Sequence, residues 1–249
     1  MLMHVPPRNG THDIAGPGDL VILFDVDNTL LDNDRFSADL DAQLVQALGE
    51  GGRLRYRELY ERLRDGRGYA DYLAPLQLLR RGFEDDPDLL ELSTFLLDYP
   101  FGERVFPDVW RMLAQLQHFA TVALLSDGDM VFQPRKIRRS GLWDAVQGRV
   151  LVTLHKEREL DSVRSRLPAR HYVLVDDKPR LLDAVKAELG AGVTTVFVRQ
   201  GHYASDADAD AAAHPPDLRL DRVGDLAVIA PELLYPADWP ARDPLPEPV

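Results

Sequence analysis

Two carboxylates two residues apart close the apolar run Leu20-Val21-Ile22-Leu23-Phe24, in the segment Asp25-Val26-Asp27-Asn28-Thr29-Leu30. The run has the length and composition of a short buried strand. Alternation along an extended chain turns the side chains of Asp25 and Asp27 the same way. Two like charges in one small site repel unless a proton or a cation joins them. The pattern suits a Mg²⁺ site with one carboxylate left free to react.

Three further runs end in polar groups. Val122-Ala123-Leu124-Leu125 is followed by Ser126-Asp127-Gly128-Asp129. A hydroxyl before a glycine-containing turn can hold a phosphoryl oxygen with Ser Oγ and backbone N–H groups. Lys156 follows Val150-Leu151-Val152-Thr153 and opens a helical pattern. A cation there opposes the helix dipole unless an anion offsets it. Asp176-Asp177 ends Tyr172-Val173-Leu174-Val175 and precedes Lys178-Pro179, where proline marks a helix start. Taken singly, each has a plainer reading: a solvated strand end, an ordinary turn, a surface lysine, a helix cap. Taken together they supply carboxylates for a hard cation, a hydroxyl and a lysine for phosphate, and a spare carboxylate for attack.

The elements that must position these groups alternate. Strand-like runs cover residues 21–25, 121–126, 149–153, 172–176 and 193–198, with a weaker one at 226–229. Helical patterns lie between them at 109–118, 132–140, 157–166 and 179–189. Near-continuous apolar strands alternating with amphipathic helices predict an α/β fold, a doubly wound parallel sheet covered on both faces. In such folds ligands bind outside the carboxyl ends of the strands, where all four polar features fall. From residue 36 to about residue 104 there is no strand pattern. Helical patterns at 37–48, 56–63, 69–80 and 88–97 predict an inserted all-α domain. The expected division is residues 1–34 and 105–249 as core and 35–104 as insert.

Bulk properties narrow the partners. The 249 residues are 45% hydrophobic and 28% charged, ordinary for a globular chain. No apolar stretch approaches the roughly 20 residues of a membrane span. A formal net charge of −12 argues against nucleic acid or an anionic membrane surface as partner. With no cysteine, disulfides, thiolate metal sites and cysteine nucleophiles are excluded. Residues 1–19 hold no apolar signal region, so the expectation is a cytoplasmic protein. The proline-rich residues 231–249 are expected to run as an extended strap. Lysine occurs only at 136, 156, 178 and 186.

The order Asp25-x-Asp27-x-Thr29, then Ser126, Lys156 and Asp176-Asp177, resembles the haloacid dehalogenase-like hydrolase superfamily over about residues 20–198. The resemblance implies a Rossmann-like core and a small helical cap that closes over the site. It implies Asp25 as nucleophile, forming an aspartyl-phosphate. Asp27 would protonate the leaving alcohol and then deprotonate the hydrolytic water. Mg²⁺ would be held by the Asp25 carboxylate, the Asp27 carbonyl and the acidic pair, with Asp177 as the favoured direct ligand and Asp176 acting through water or behind the direct ligands. Ser126 and Lys156 would bind the phosphoryl group, Asp127 and Gly128 would complete its turn, and Thr29 would support the loop. Lys156 sits outside the usual Lys-Pro context, and Lys136 is its rival. Members that cleave carbon–halogen bonds lack an Asp two residues after the nucleophile, so Asp27 favours phosphate esters. The expected function is a Mg²⁺-dependent phosphatase for a small phosphorylated metabolite. The alternatives are a phosphomutase of the same superfamily or a phosphate-binding, signalling module without turnover. Arg64 and Arg67, between two insert helices, could reach a second anionic group of the substrate.

Overall fold

The computed structural model describes residues 19–80 and 86–235. Strand β1 (Leu20–Phe24) leads into a helical insert of α1 (Asn33–Arg67), α2 (Leu73–Leu79) and α3 (Pro87–Asp98). The chain then returns through α4 (Val109–Leu116), β2 (Thr121–Asp127), α5 (Phe132–Arg139), α6 (Leu142–Ala145) and β3 (Val150–Thr153). After these come α7 (Leu160–Arg166), β4 (His171–Asp176), α8 (Pro179–Leu189), β5 (Val193–Val198), α9 (Asp206–Ala211) and β6 (Leu218–Leu220). The six strands form one parallel sheet in the order β3-β2-β1-β4-β5-β6. This is the expected doubly wound α/β architecture.

Strand alternation builds the two layers. Leu20, Ile22 and Phe24 pack with Val122, Leu124, Val173 and Val175 on one face. Val21, Leu23, Ala123, Leu125 and Leu174 pack with α7 and α8 on the other. Burial of both faces is why the strands read as unbroken apolar runs. Register then levels the strand ends. Phe24 pairs with Leu124 on one side and Val175 on the other, so Asp25, Ser126 and Asp176 emerge together where the strand order reverses.

The insert has its own core. Phe36, Leu40 and Leu44 of α1 recur at helical spacing and meet Tyr56, Leu59 and Tyr60 of the same helix. The helices expected at 37–48 and 56–63 are one run bent at Gly49, whose φ of 69° and ψ of 178° lie outside helical space and cost little only for glycine. Helix α2 begins at Leu73, later than expected. Phe132 of α5 leaves the sheet's cores and joins the insert's, its ring centroid 5.8 Å from that of Phe36.

Other expectations are corrected. Residues 226–229 are not a strand; Val223–Val228 forms a 3₁₀ turn, and the sixth strand is Leu218–Leu220. Lys156–Arg158 is a 3₁₀ turn before α7, so Lys156 does not open a continuous helix. The expectations for residues 1–18 and 236–249 lie outside the described residues, while Pro231–Leu234 makes a 3₁₀ turn. Among the described residues no helix is long and apolar enough to cross a membrane.

Candidate active site

The buried centre is built from strand ends. The Asp25 amide donates to Val175 O across β1 and β4 at 2.9 Å. Lys156 Nζ reaches Asp25 Oδ1 at 2.5 Å and Asp176 Oδ2 at 2.7 Å. Its remaining contact is the Leu125 carbonyl at 3.4 Å, and its side chain is fully buried. Thr29 Oγ1 lies 3.5 Å from Asp25 Oδ2. Asp176 Oδ1 accepts from the Lys178 amide at 2.9 Å. Asp177 differs from its neighbours: both of its carboxylate oxygens are buried and have no hydrogen-bond partner. Ligand atoms of Asp25, Asp176 and Asp177 lie within 4.8 Å of one another.

Charge and burial compete here. Burial pushes the Asp25 carboxyl up, but the ammonium groups of Lys156 and Lys178 outweigh it and hold Asp25 below the usual carboxylate range. Asp177 gains no such relief. Burial, with the Asp176 charge beside it, pushes its carboxyl up to about 9. Burial disfavours the Lys156 ammonium, yet Asp176 and Asp25 raise its pKa above the ordinary lysine value. Three buried carboxylates, one of them with no partner, fit a divalent cation such as Mg²⁺.

Asp27 turns away from that group. Lys136 Nζ donates to Asp27 Oδ1 at 2.8 Å and to Asn33 Oδ1 at 2.9 Å. Gln133 Nε2 donates to Asp27 Oδ2 at 3.2 Å and to Ser126 Oγ at 2.9 Å. Helix α5 carries both Gln133 and Lys136 on its buried face, and Asp129 starts that helix by accepting from the amides of Val131 and Phe132. The Lys136 ammonium sits 5.5–5.6 Å from the ring centroids of Phe36, Tyr72, Phe101 and Phe132. Sequence reasoning treated Lys136 only as a rival of Lys156 and missed Gln133. The available signal was their i, i+3 spacing beside apolar Phe132 and Ile137.

The turn after β2 is tied from within. Asp127 Oδ1 accepts from Thr153 Oγ1 and from the Lys156 amide, both at 2.8 Å. The Gly128 amide donates to Thr153 O at 2.9 Å, so it is not free for a phosphoryl oxygen as the sequence suggested. Glycine is needed there because a Cβ would stand 2.8 Å from Gln133 Cβ. Ser126 Oγ is buried beside Asp27 through Gln133.

A cleft of about 410 Å³ lies between the insert and the strand ends. Arg64, Tyr72, Lys178, His202 and Tyr203 line it. Arg64 is already paired with Glu61 and lies 3.5 Å from the Tyr203 hydroxyl. Arg67 does not line this cleft; it pairs with Asp71 at 2.5 Å. The loop after β5 was not foreseen. Gly201, at φ 76°, packs so closely on Asn28 that a Cβ would come within 2.4 Å of Asn28 Cβ. Asn28 Oδ1 accepts from the amides of Asn33 and Asp34, and Asp34 pairs with His202.

No family model matches the chain, and no curated protein matches it. Among solved structures, a haloacid dehalogenase-like hydrolase of Burkholderia xenovorans LB400 is 51% identical, covering 86% of this chain and 100% of that one, with a TM-score of 0.80. The chain belongs to the haloacid dehalogenase-like hydrolase family. A haloacid dehalogenase-like family hydrolase from Xanthomonas campestris is 21% identical, over 90% of this chain and 97% of that one, with a TM-score of 0.61. The L-2-haloacid dehalogenase of Xanthobacter autotrophicus is 18% identical, over 84% and 96%, with a TM-score of 0.56. These two likenesses are of fold.

Proposed function

We propose that the protein is a Mg²⁺-dependent phosphate-monoester hydrolase acting on a small phosphorylated metabolite. The observation that carries this reading is Asp177, a buried carboxylate with two unpartnered oxygens beside Asp25 and Asp176. A site that cleaves a carbon–halogen bond has no use for such a cation hole, whereas an anionic carboxylate attacking an anionic phosphoryl group needs the charge offset. Asp25, Asp176 and Asp177 would hold Mg²⁺, which when bound would neutralise charge on the phosphoryl oxygens.

The residues divide the remaining work. Lys156 and Thr29 hold the two oxygens of Asp25 so that the carboxylate is presented in one orientation. A carboxylate oxygen of Asp25 bonds to phosphorus as the ester P–O bond breaks, and Asp27 gives its proton to the departing alcohol. Asp27 then takes a proton from water, which attacks phosphorus and releases phosphate with the Asp25 carboxylate restored. Gln133 and Lys136 fix Asp27 for both transfers. Ser126 would meet a phosphoryl oxygen with the hydroxyl that accepts from Gln133. The helical insert, residues 35–104, serves as a cap that excludes water from the cleft.

The test is turnover of a phosphate-monoester panel, p-nitrophenyl phosphate included, with Mg²⁺ and with EDTA. Hydrolysis is expected only with Mg²⁺, and Asp25→Asn is expected to lower kcat by at least about 10³-fold. Metal-independent release of halide from 2-chloropropionate, with every ester untouched, would overturn the reading.

A further inference from the structure

Lys156 is committed to the carboxylates around it. Of its three N–H groups, one reaches Asp25 at 2.5 Å and one Asp176 at 2.7 Å in a fully buried position, with the Leu125 carbonyl 3.4 Å away. Lys178 is placed in the opposite way. Its backbone is anchored, the amide donating to Asp176 Oδ1 at the start of α8. Its side chain lines the cleft, with the ammonium 5.4 Å from the centre of the Tyr203 ring. Among the described residues no carboxylate comes within ion-pair distance of it. Its charge still reaches Asp25, where it is the second cation after Lys156. An ammonium held against an aromatic face, beside a buried nucleophile and without an anion, is arranged for an anion that arrives.

We propose that Lys178 is a catalytic residue whose ammonium contacts the transferring phosphoryl group, while Lys156 positions Asp25 and Asp176. The inference rests on the phosphate-ester reading above and adds a phosphate contact from a residue outside the motif that the sequence resemblance supplied. Ground-state and transition-state phosphoryl oxygens both carry negative charge, so Lys178 serves binding and the chemical step alike. A plainer role, offsetting the three carboxylates, makes a different prediction. Removing a mere counter-charge would tighten Mg²⁺ and leave phosphate affinity unchanged.

The experiment uses the full chain and inorganic phosphate as probe. Phosphate binding is measured by isothermal titration at saturating Mg²⁺, beside steady-state hydrolysis of p-nitrophenyl phosphate and the Mg²⁺ concentration for half-activation. Lys178→Met is expected to weaken phosphate by about 10- to 100-fold, the scale of a lost charge-assisted hydrogen bond. KM should rise and kcat fall, Mg²⁺ half-activation should not rise, and Lys178→Arg should recover part of the loss. If Lys178→Met fails to fold, Lys178→Gln carries the same comparison. Phosphate affinity within twofold of wild type, in a variant that still hydrolyses the ester, overturns the role of Lys178 and leaves the phosphatase reading standing. Wild-type protein that neither binds phosphate nor hydrolyses any ester removes that reading, and this one with it.

Discussion

Two buried lysines face the two aspartates of one motif, and their surroundings could hardly differ more. Lys156 lies among carboxylates, shared between Asp25 and Asp176, at the junction of three strands. Lys136 has one carboxylate, Asp27, one amide oxygen, Asn33, and four aromatic rings around it. The first cation is stabilised by opposite charge inside the sheet's own layer. The second is stabilised in part by rings, three of which belong to the helical insert. Position of Asp25 is therefore set by the sheet and the turns at its strand ends, whereas position of Asp27 also depends on the insert.

Removing each lysine tests that contrast. Lys156→Met leaves two carboxylates buried and unpaired, and should cost about 3–5 kcal/mol, the range for breaking a buried pair. Urea unfolding in EDTA checks it, and a loss under 1 kcal/mol would mean the cluster is not held by that charge. Lys136→Met should cost less, about 1–2 kcal/mol, because the Asp27 side chain is 20% exposed and the methionine still fills the aromatic cage. Its kcat should fall by about 10- to 100-fold with little change in KM, since Asp27 loses its orientation rather than the substrate its contacts. A KM effect larger than the kcat effect would place Lys136 in binding instead.

The Asp177 carboxyl sharpens the first half of the contrast. Its pKa rises on folding from an ordinary 3.8 to about 9, so the metal-free native state holds a proton that the unfolded chain has already lost. Stability then falls as pH rises through that window, by up to about 1.4 kcal/mol per pH unit. Unfolding in EDTA at pH 5 and pH 8 should show the decline, and Asp177→Asn should flatten it. Saturating Mg²⁺ should suppress the decline in wild type, because a bound cation takes the carboxylate in its ionised form.

Much of the frame was legible in the chain, and for a physical reason. Strands β1, β2, β4 and β5 are buried on both faces and so appear as continuous apolar runs. Strand β6 is three residues with a charged one at its centre, too short to show a pattern. The carboxylates at strand ends stood out because polar groups there interrupt an apolar run. Gln133 and Lys136 did not, since they come from one face of a helix and are recognised only when Asp27 is placed opposite them. The Gly128 amide looked available because its acceptor, Thr153 O, is 25 positions away along the chain. The loop of Gly201 and His202 carries no periodicity, and its meaning lies in its contacts with Asn28 and Asp34.

The chain enters and leaves the helical insert through two segments bonded to each other. Leu31 bridges Val105 in antiparallel fashion, the Asp32 amide donates to Arg104 O at 2.8 Å, and the Phe106 amide to Leu30 O at 3.0 Å. Two separate tethers would let the attached body twist, tilt and slide independently. A single laced ribbon resists shear along its length and flexes most easily across its plane. Any movement of the insert is thereby reduced to something close to one rotational coordinate, like a page turning in a bound spine. On such a path the aromatic rings it carries would return to Lys136 in the same orientation.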